Sequence, residues 1–114
     1  MRNISFQLTT DQIRNRTKTV TRRLGWLKLK AGDLLQGCVK CQGLRPGEKI
    51  EKLAVIEVVS VRREPLESIL FADGGETARE GFPMMGRVEF VKFFCDEMKC
   101  EPETEVTRIE FKYL

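Results

Sequence analysis

The stretch from Arg14 to Trp26 reads RNRTKTVTRRLGW. It packs five cations, three threonines and one tryptophan into thirteen residues and contains no acid. A run this basic is read as surface rather than core, because ionised groups are expensive to bury without partners. Hydroxyls at short intervals among the cations suit a surface that receives an anion or a nucleobase.

The charge of the chain is lopsided around this stretch. Residues 1–30 hold eight Lys/Arg and one acid, a balance of +7; residues 31–114 hold twelve Lys/Arg and sixteen acids, a balance of −4, and the two sum to the net +3. The chain has 114 residues, 41% of them hydrophobic, including seven Phe. That is the size and apolar content of one domain with a real core, spanning 1–114. No apolar run approaches the roughly 20 residues that cross a bilayer. The opening MRNISFQLTT lacks the apolar core of a signal peptide, so a cytoplasmic location without membrane association is expected.

There is no His. Imidazole bases, and zinc sites mixing cysteine with histidine, are therefore excluded. The four cysteines, Cys38, Cys41, Cys95 and Cys100, are expected to be reduced thiols. An all-cysteine zinc site is disfavoured: Cys38 and Cys41 fall in an expected strand, where residues three apart face opposite sides, and Cys95 belongs to a helix's apolar stripe. No cofactor is expected.

Along the chain, Ile4, Phe6 and Leu8 alternate with Ser5 and Gln7, predicting a strand with one buried face. Thr9 or Thr10 then caps a short helix to about Arg16. Short strands are possible around Thr19–Thr21 and Gly86. Gly32-Asp33 turns the chain into a strand over Leu34 to Cys41, and Pro46-Gly47 suits the centre of a type II turn. A partner strand follows over Leu53 to Arg62, its first half apolar on both faces. Pro65 to Leu70 and Glu76 to Gly81 read as helical turns on either side of Asp73-Gly74-Gly75. Gly86 to Met98 is the strongest helix, with Val91, Phe94, Cys95 and Met98 on one face, Phe90 and Phe93 widening it, and Glu101-Pro102 closing it. Glu105 to Tyr113 is the last strand. This order fits a small mixed or antiparallel barrel with helices across its openings.

Within the basic stretch, RTKTVTRR at residues 16–23 resembles the GxKxxTxR signature of the ASCH domain, which has a PUA-like β-barrel fold. Lys18, Thr21 and Arg23 match; Arg16 stands where the family has Gly, at a position where a positive φ would be unusual for another residue. Leu29 to Leu35 resembles the family's xxGDxL element, Glu80-Gly81-Phe82 a Glu-Gly-Phe element, and TRIEF within Val106 to Phe111 the closing strand. The resemblance implies a PUA-like α+β, mostly β barrel. It also implies one of two roles. Many members are inferred to bind RNA. Some small bacterial members are amidohydrolases acting on N4-acetylcytidine and related acylated cytosines, and their catalytic Lys, Thr and Glu correspond to Lys18, Thr21 and Glu80.

The residues by themselves leave several roles open. Thr21 needs a base to act as a nucleophile. A lysine base must be neutral near pH 7, about 3.4 pK units below its reference value, or roughly 4.6 kcal/mol. As a plain cation Lys18 would instead stabilise an oxyanion or hold a phosphate. Thr21 would otherwise bond a strand edge, and Glu80 would cap a helix or pair with Arg79 or Arg87. In a strand, Lys18 and Thr21 face opposite sides, so a turn or bulge is needed to bring them together. Arg16, Arg22 and Arg23 are expected as ligand-binding cations. Trp26 and Phe82 are expected either to stack on a base or to act as half-buried lids. The expected partner is RNA or a nucleoside or nucleotide bound in a basic groove. The alternatives are an amidohydrolase and, less favoured, a ribonuclease.

Overall fold

The computed structural model describes residues 1–114. Strand β1 (Arg2–Ser5) runs into a 3-10 turn (Gln7–Thr9) and helix α1 (Thr10–Arg14). Strands β2 (Val20–Arg23), β3 (Leu34–Cys38) and β4 (Lys52–Pro65) follow. A 3-10 segment (Leu66–Phe71), helix α2 (Glu76–Arg79), helix α3 (Arg87–Met98) and strand β5 (Glu105–Tyr113) complete the chain. The strand order is β1-β3-β4-β5-β2. β1 runs parallel to β3 and every other pairing is antiparallel.

This is the expected mixed sheet, curled into a half-barrel. β4 is its spine, pairing with β3 along its first half and with β5 onward to Pro65. The register with β5 shifts between Val58 and Ser60, leaving Val59 as an extra residue, and such a bulge bends and twists a strand. The edges β1 and β2 do not pair as a ladder, so the barrel keeps a seam.

Inside the curve, Ile4, Phe6, Ile13, Leu35, Ile56, Val58, Ile109 and Phe111 form one buried cluster. Each such side chain contributes about 1.5–3 kcal/mol by leaving water. Gly37 on β3 makes room for Phe6: a Cβ there would lie 3.0 Å from the Ala54 carbonyl oxygen and 3.2 Å from the Phe6 ring. A second cluster joins Leu66, Ile69, Phe90, Val91, Phe94 and Val106, packing α3 and the 3-10 segment against the start of β5.

Several expected boundaries move. The first strand ends at Ser5 and Leu8 is 51% exposed, because the 3-10 turn breaks the alternation after Phe6. α1 stops at Arg14, and neither Thr9 nor Thr10 caps it; the Thr10 hydroxyl donates back to the Phe6 carbonyl at 2.9 Å. β3 stops at Cys38, where the register shifts, so Cys41 lies outside the strand. α3 stops at Lys99, which adopts a left-handed φ of 54°, ahead of Glu101-Pro102. The Pro46-Gly47 turn stands as expected, with Glu48 N donating to the Arg45 carbonyl at 2.9 Å and Gly47 at φ 83°.

Candidate active site

The basic stretch is exposed at both ends but buried in its middle. Lys18, Thr21 and Arg22 are each 3% exposed and Val20 is fully buried. What makes this tolerable is a pair of carboxylates, Glu76 at the start of α2 and Glu80 just past its end.

Lys18 is delivered by a tight turn. The amides of Thr17 and Lys18 both donate to the Gln12 carbonyl, at 2.9 and 3.2 Å. Arg16 makes the turn possible by adopting φ 63°, the left-handed conformation that the Gly of the resembling signature would favour. The Tyr113 hydroxyl donates to the Lys18 carbonyl at 2.5 Å. Lys18 thus sits ahead of β2 rather than in it, and strand alternation does not separate it from Thr21.

β2 pairs with β5 so that Arg22 lies opposite Arg108. Like charges directly opposed on neighbouring strands repel. The Glu76 carboxylate relieves this by taking both: Arg22 Nη2 donates to Oε2 at 2.6 Å, and Arg108 donates through Nε to Oε2 at 2.7 Å and through Nη2 to Oε1 at 3.1 Å. Burial pushes the Glu76 carboxyl up, but the hydrogen bonds from Arg108 and Arg22 outweigh it and hold the group down at about 2. Four residues along α2, on the same helix face, Glu80 takes Arg22 Nη1 at 2.9 Å and Lys18 Nζ at 3.1 Å. The result is an unbroken buried chain, Arg108–Glu76–Arg22–Glu80–Lys18. Arg22 Nε alone within it has no hydrogen-bond partner.

Gly81 fixes where α2 stops. It adopts φ 101°, and a Cβ there would lie 3.1 Å from the Gln12 side chain. Gln12 Nε2 donates to the Gly81 carbonyl at 3.1 Å, and Thr19 N to the Arg79 carbonyl at 2.8 Å, tying α2 to the segment leading into β2.

Lys18 Nζ makes two hydrogen bonds, both to Glu80: one to its carbonyl at 2.5 Å and one to Oε1 at 3.1 Å. Burial pulls Lys18 below its ordinary value, while the Glu80 charge and hydrogen bond pull the other way. A neutral amine has two hydrogens and one lone pair. In its neutral form, Lys18 would give both hydrogens to Glu80 and keep its lone pair to accept a proton.

Thr21 has a different partner from the one expected. Its hydroxyl oxygen accepts from Arg23 Nε at 3.0 Å, leaving its own hydrogen free to be donated. Arg23 Nη2 donates to the Ser5 carbonyl at 2.6 Å. The Arg23 guanidinium therefore spans the seam between β2 and β1. Burial lowers Arg23 to about 10, which keeps it a cation at neutral pH.

Lys18, Thr21, Arg23 and Glu80 line a cavity of about 300 Å³. Phe82 and Phe93, rings 5.2 Å apart and edge-on, belong to its apolar wall, and the Lys18 ammonium nitrogen lies 6.0 Å from the Phe82 ring centre. Polar groups thus share an aromatic-walled pocket, the usual make-up of a small-molecule site.

Of the other expected ligand residues, Arg22 also lines this cavity, whereas Arg16 and Trp26 do not. Arg22 spends its guanidinium on Glu76 and Glu80. Arg16 is exposed, its guanidinium 5.5 Å from the Tyr113 ring centre. Trp26 is half-buried at φ 56°, under the Arg2 guanidinium at 3.8 Å, and lines neighbouring cavities instead. No three or more of the Cys, Asp and Glu side chains gather as metal ligands. No helix is long and apolar enough to cross a membrane.

No protein-family model and no curated protein matches the sequence. Solved structures do match. An ASCH domain from Lactobacillus crispatus JV V101 is 18% identical, over 98% of this chain and 78% of that one, with a TM-score of 0.57. A protein of Enterococcus faecalis V583 assigned to the DUF984 family is 16% identical, over 99% and 79%, with a TM-score of 0.63. The hypothetical protein PH0355 is 18% identical, over 99% and 96%, with a TM-score of 0.63. The fold is that of the ASCH domain, a small PUA-like α+β fold.

Proposed function

We propose that this protein is an amidohydrolase that removes the acyl group from the exocyclic N4 of an acylated cytosine or cytidine. The observation that carries the proposal is the buried Lys18–Glu80 pair on the same aromatic-walled cavity as Thr21. These are the three residues to which the ASCH resemblance attaches catalysis.

The chemistry runs as follows. The Thr21 hydroxyl attacks the amide carbonyl carbon and passes its proton to the Lys18 lone pair. Arg23, already donating to that oxygen, favours the developing alkoxide. The tetrahedral intermediate collapses, the C–N bond breaks, and the leaving exocyclic nitrogen takes a proton from Lys18, with Glu80 holding the amine in line. Water then cleaves the acyl-Thr21 ester, giving a carboxylic acid and restoring the hydroxyl. Phe82 and Phe93 supply a wall on which a flat pyrimidine packs.

An open basic groove for RNA is less well served, since Lys18 and Arg22 are buried and neutralised by carboxylates. The same neutralisation disfavours a ribonuclease, which needs uncompensated charge at the phosphate. The test is turnover of N4-acetylcytidine followed by release of acetate. Wild type is expected to be active and Thr21→Ala inactive. Full activity in both Thr21→Ala and Lys18→Ala, or no turnover accompanied by salt-sensitive RNA binding, would overturn the proposal.

A further inference from the structure

On the far side of the β1–β2 seam lies a second cavity, of about 380 Å³. It shares Ser5, Gln7 and Arg23 with the first cavity, so the two adjoin across the Arg23–Ser5 hydrogen bond. Three of its lining residues are cations, Arg2, Arg23 and Lys40, and none is an acid. We infer that this second cavity is a phosphate site, and that the protein acts on an N4-acylated cytidine nucleotide with its base in the first cavity and its phosphate in the second. The base half rests on the hydrolase reading; the phosphate half does not.

The cations are available. Arg2 faces the Trp26 ring rather than a carboxylate. Arg23 commits Nε to Thr21 and Nη2 to Ser5, and its Nη1 has no partner in the protein. Lys40 pairs only with Glu48, at 3.9 Å and partly exposed, a contact weak enough to exchange for a phosphate. Two guanidinium groups and an ammonium match the charge and the multiple acceptors of a phosphate dianion. Arg14, in contrast, pairs with Glu51 and Asp11, Arg62 with Glu64, and Lys112 with Glu57.

Backbone geometry supports the same place. Trp26 holds a left-handed φ of 56° directly after Gly25 at 77°. A bulky residue in that region carries strain, and strained residues concentrate at ligand sites. The strained turn keeps the indole beneath Arg2, and the Gly25 carbonyl is anchored by the Thr107 hydroxyl at 2.5 Å. The ring holds one phosphate-facing guanidinium in place before any ligand arrives.

The test compares N4-acetylcytidine with its 5′-monophosphate at low ionic strength. The nucleotide is expected to show a kcat/KM at least about tenfold higher, as two or three charge-assisted contacts would give. The double variant Arg2→Gln, Lys40→Gln should erase that preference and leave the nucleoside rate within about twofold. Equal wild-type rates on both substrates would overturn the phosphate site while leaving the hydrolase standing. Faster turnover of an oligoribonucleotide with an internal N4-acetylcytidine than of the mononucleotide would overturn the terminal-phosphate assignment. If neither substrate turns over, the hydrolase reading fails, and calorimetry with cytidine 5′-monophosphate against cytidine decides the phosphate site separately. Affinity that needs the phosphate and is lost in the double variant sustains it; equal affinities overturn it.

Discussion

Arg22 and Arg108 face each other across the β2–β5 ladder, and the single carboxylate of Glu76 lies between them, hydrogen-bonded to both. With the acid removed, two buried guanidinium groups would oppose one another. Glu76→Gln keeps the shape and deletes the charge, and is expected to cost about 3–5 kcal/mol, as breaking a buried pair does. Urea unfolding measures it. A loss under about 1 kcal/mol would mean the pair behaves as if solvated.

The same residue sets an acid limit. Its folded value of about 2 lies below the unfolded 4.5. Its contribution is therefore full above 4.5 and is lost as pH falls through about 2, a span worth about 3 kcal/mol. Stability measured down this range should fall more steeply for wild type than for Glu76→Gln, and the two curves should converge at the acid end.

Lys18 sets a second pH dependence, this one read in activity as well as stability. Its folded value is lowered, so between that value and the unfolded 10.5 the native state holds fewer protons than the unfolded one. Stability therefore rises with pH across that window, and acidification through the folded value charges the amine. On the proposed mechanism, in which the neutral amine takes the proton, kcat/KM should rise with pH through one ionisation below 10.5. Lys18→Arg should fold yet lose this limb along with activity. An unchanged pH profile in that variant would remove Lys18 from the proton transfer.

Thr21 separates nucleophile from scaffold. Thr21→Ser retains the hydroxyl that Arg23 contacts and should keep measurable turnover. Thr21→Ala should lower kcat by about 10²–10⁴, with a stability loss of only about 1–2 kcal/mol from the unpaired Arg23 Nε. Trapping of an acylated Thr21 by mass spectrometry in wild type, and its absence in Thr21→Ala, checks the covalent step.

Gly81 links fold to chemistry. Gly81→Ala forces a side chain into φ 101° and against Gln12. The expected cost is about 1–3 kcal/mol. Because Glu80 immediately precedes it, activity should fall by more than the stability loss explains. Equal activity per folded molecule would show that α2 tolerates the shift.

The sheet was largely readable because its strands alternate or run apolar: β5 falls at the expected Glu105 to Tyr113, and α3 within a residue of its expected start. Lys18, Thr21 and Arg23 were picked out by one local signature. Glu80 was visible only through the short Glu-Gly-Phe element, since nothing local to it says which cations it will meet. Arg22 was misread as a surface cation for the same reason. A cation is buried only if its counterions arrive, and those of Arg22 come from 54 and 58 residues away. The Arg23–Thr21 bond follows from alternation along β2, which places residues two apart on one face. The seam that Arg23 bridges follows from strand order, which no local pattern encodes.

β2 has one hydrogen-bonded neighbour in the sheet, and that neighbour is β5, with Thr21 opposite Ile109 and Arg22 opposite Arg108. A chain emerging from a ribosome would present Lys18 and Thr21 early, but their supporting strand would arrive last. Until residues near 110 are free to pair, Lys18, Arg22, Glu76, Glu80 and Arg108 have no common enclosure, and Lys18 remains solvated. Completion of the buried cluster in a nascent chain would thus wait until synthesis had passed β5.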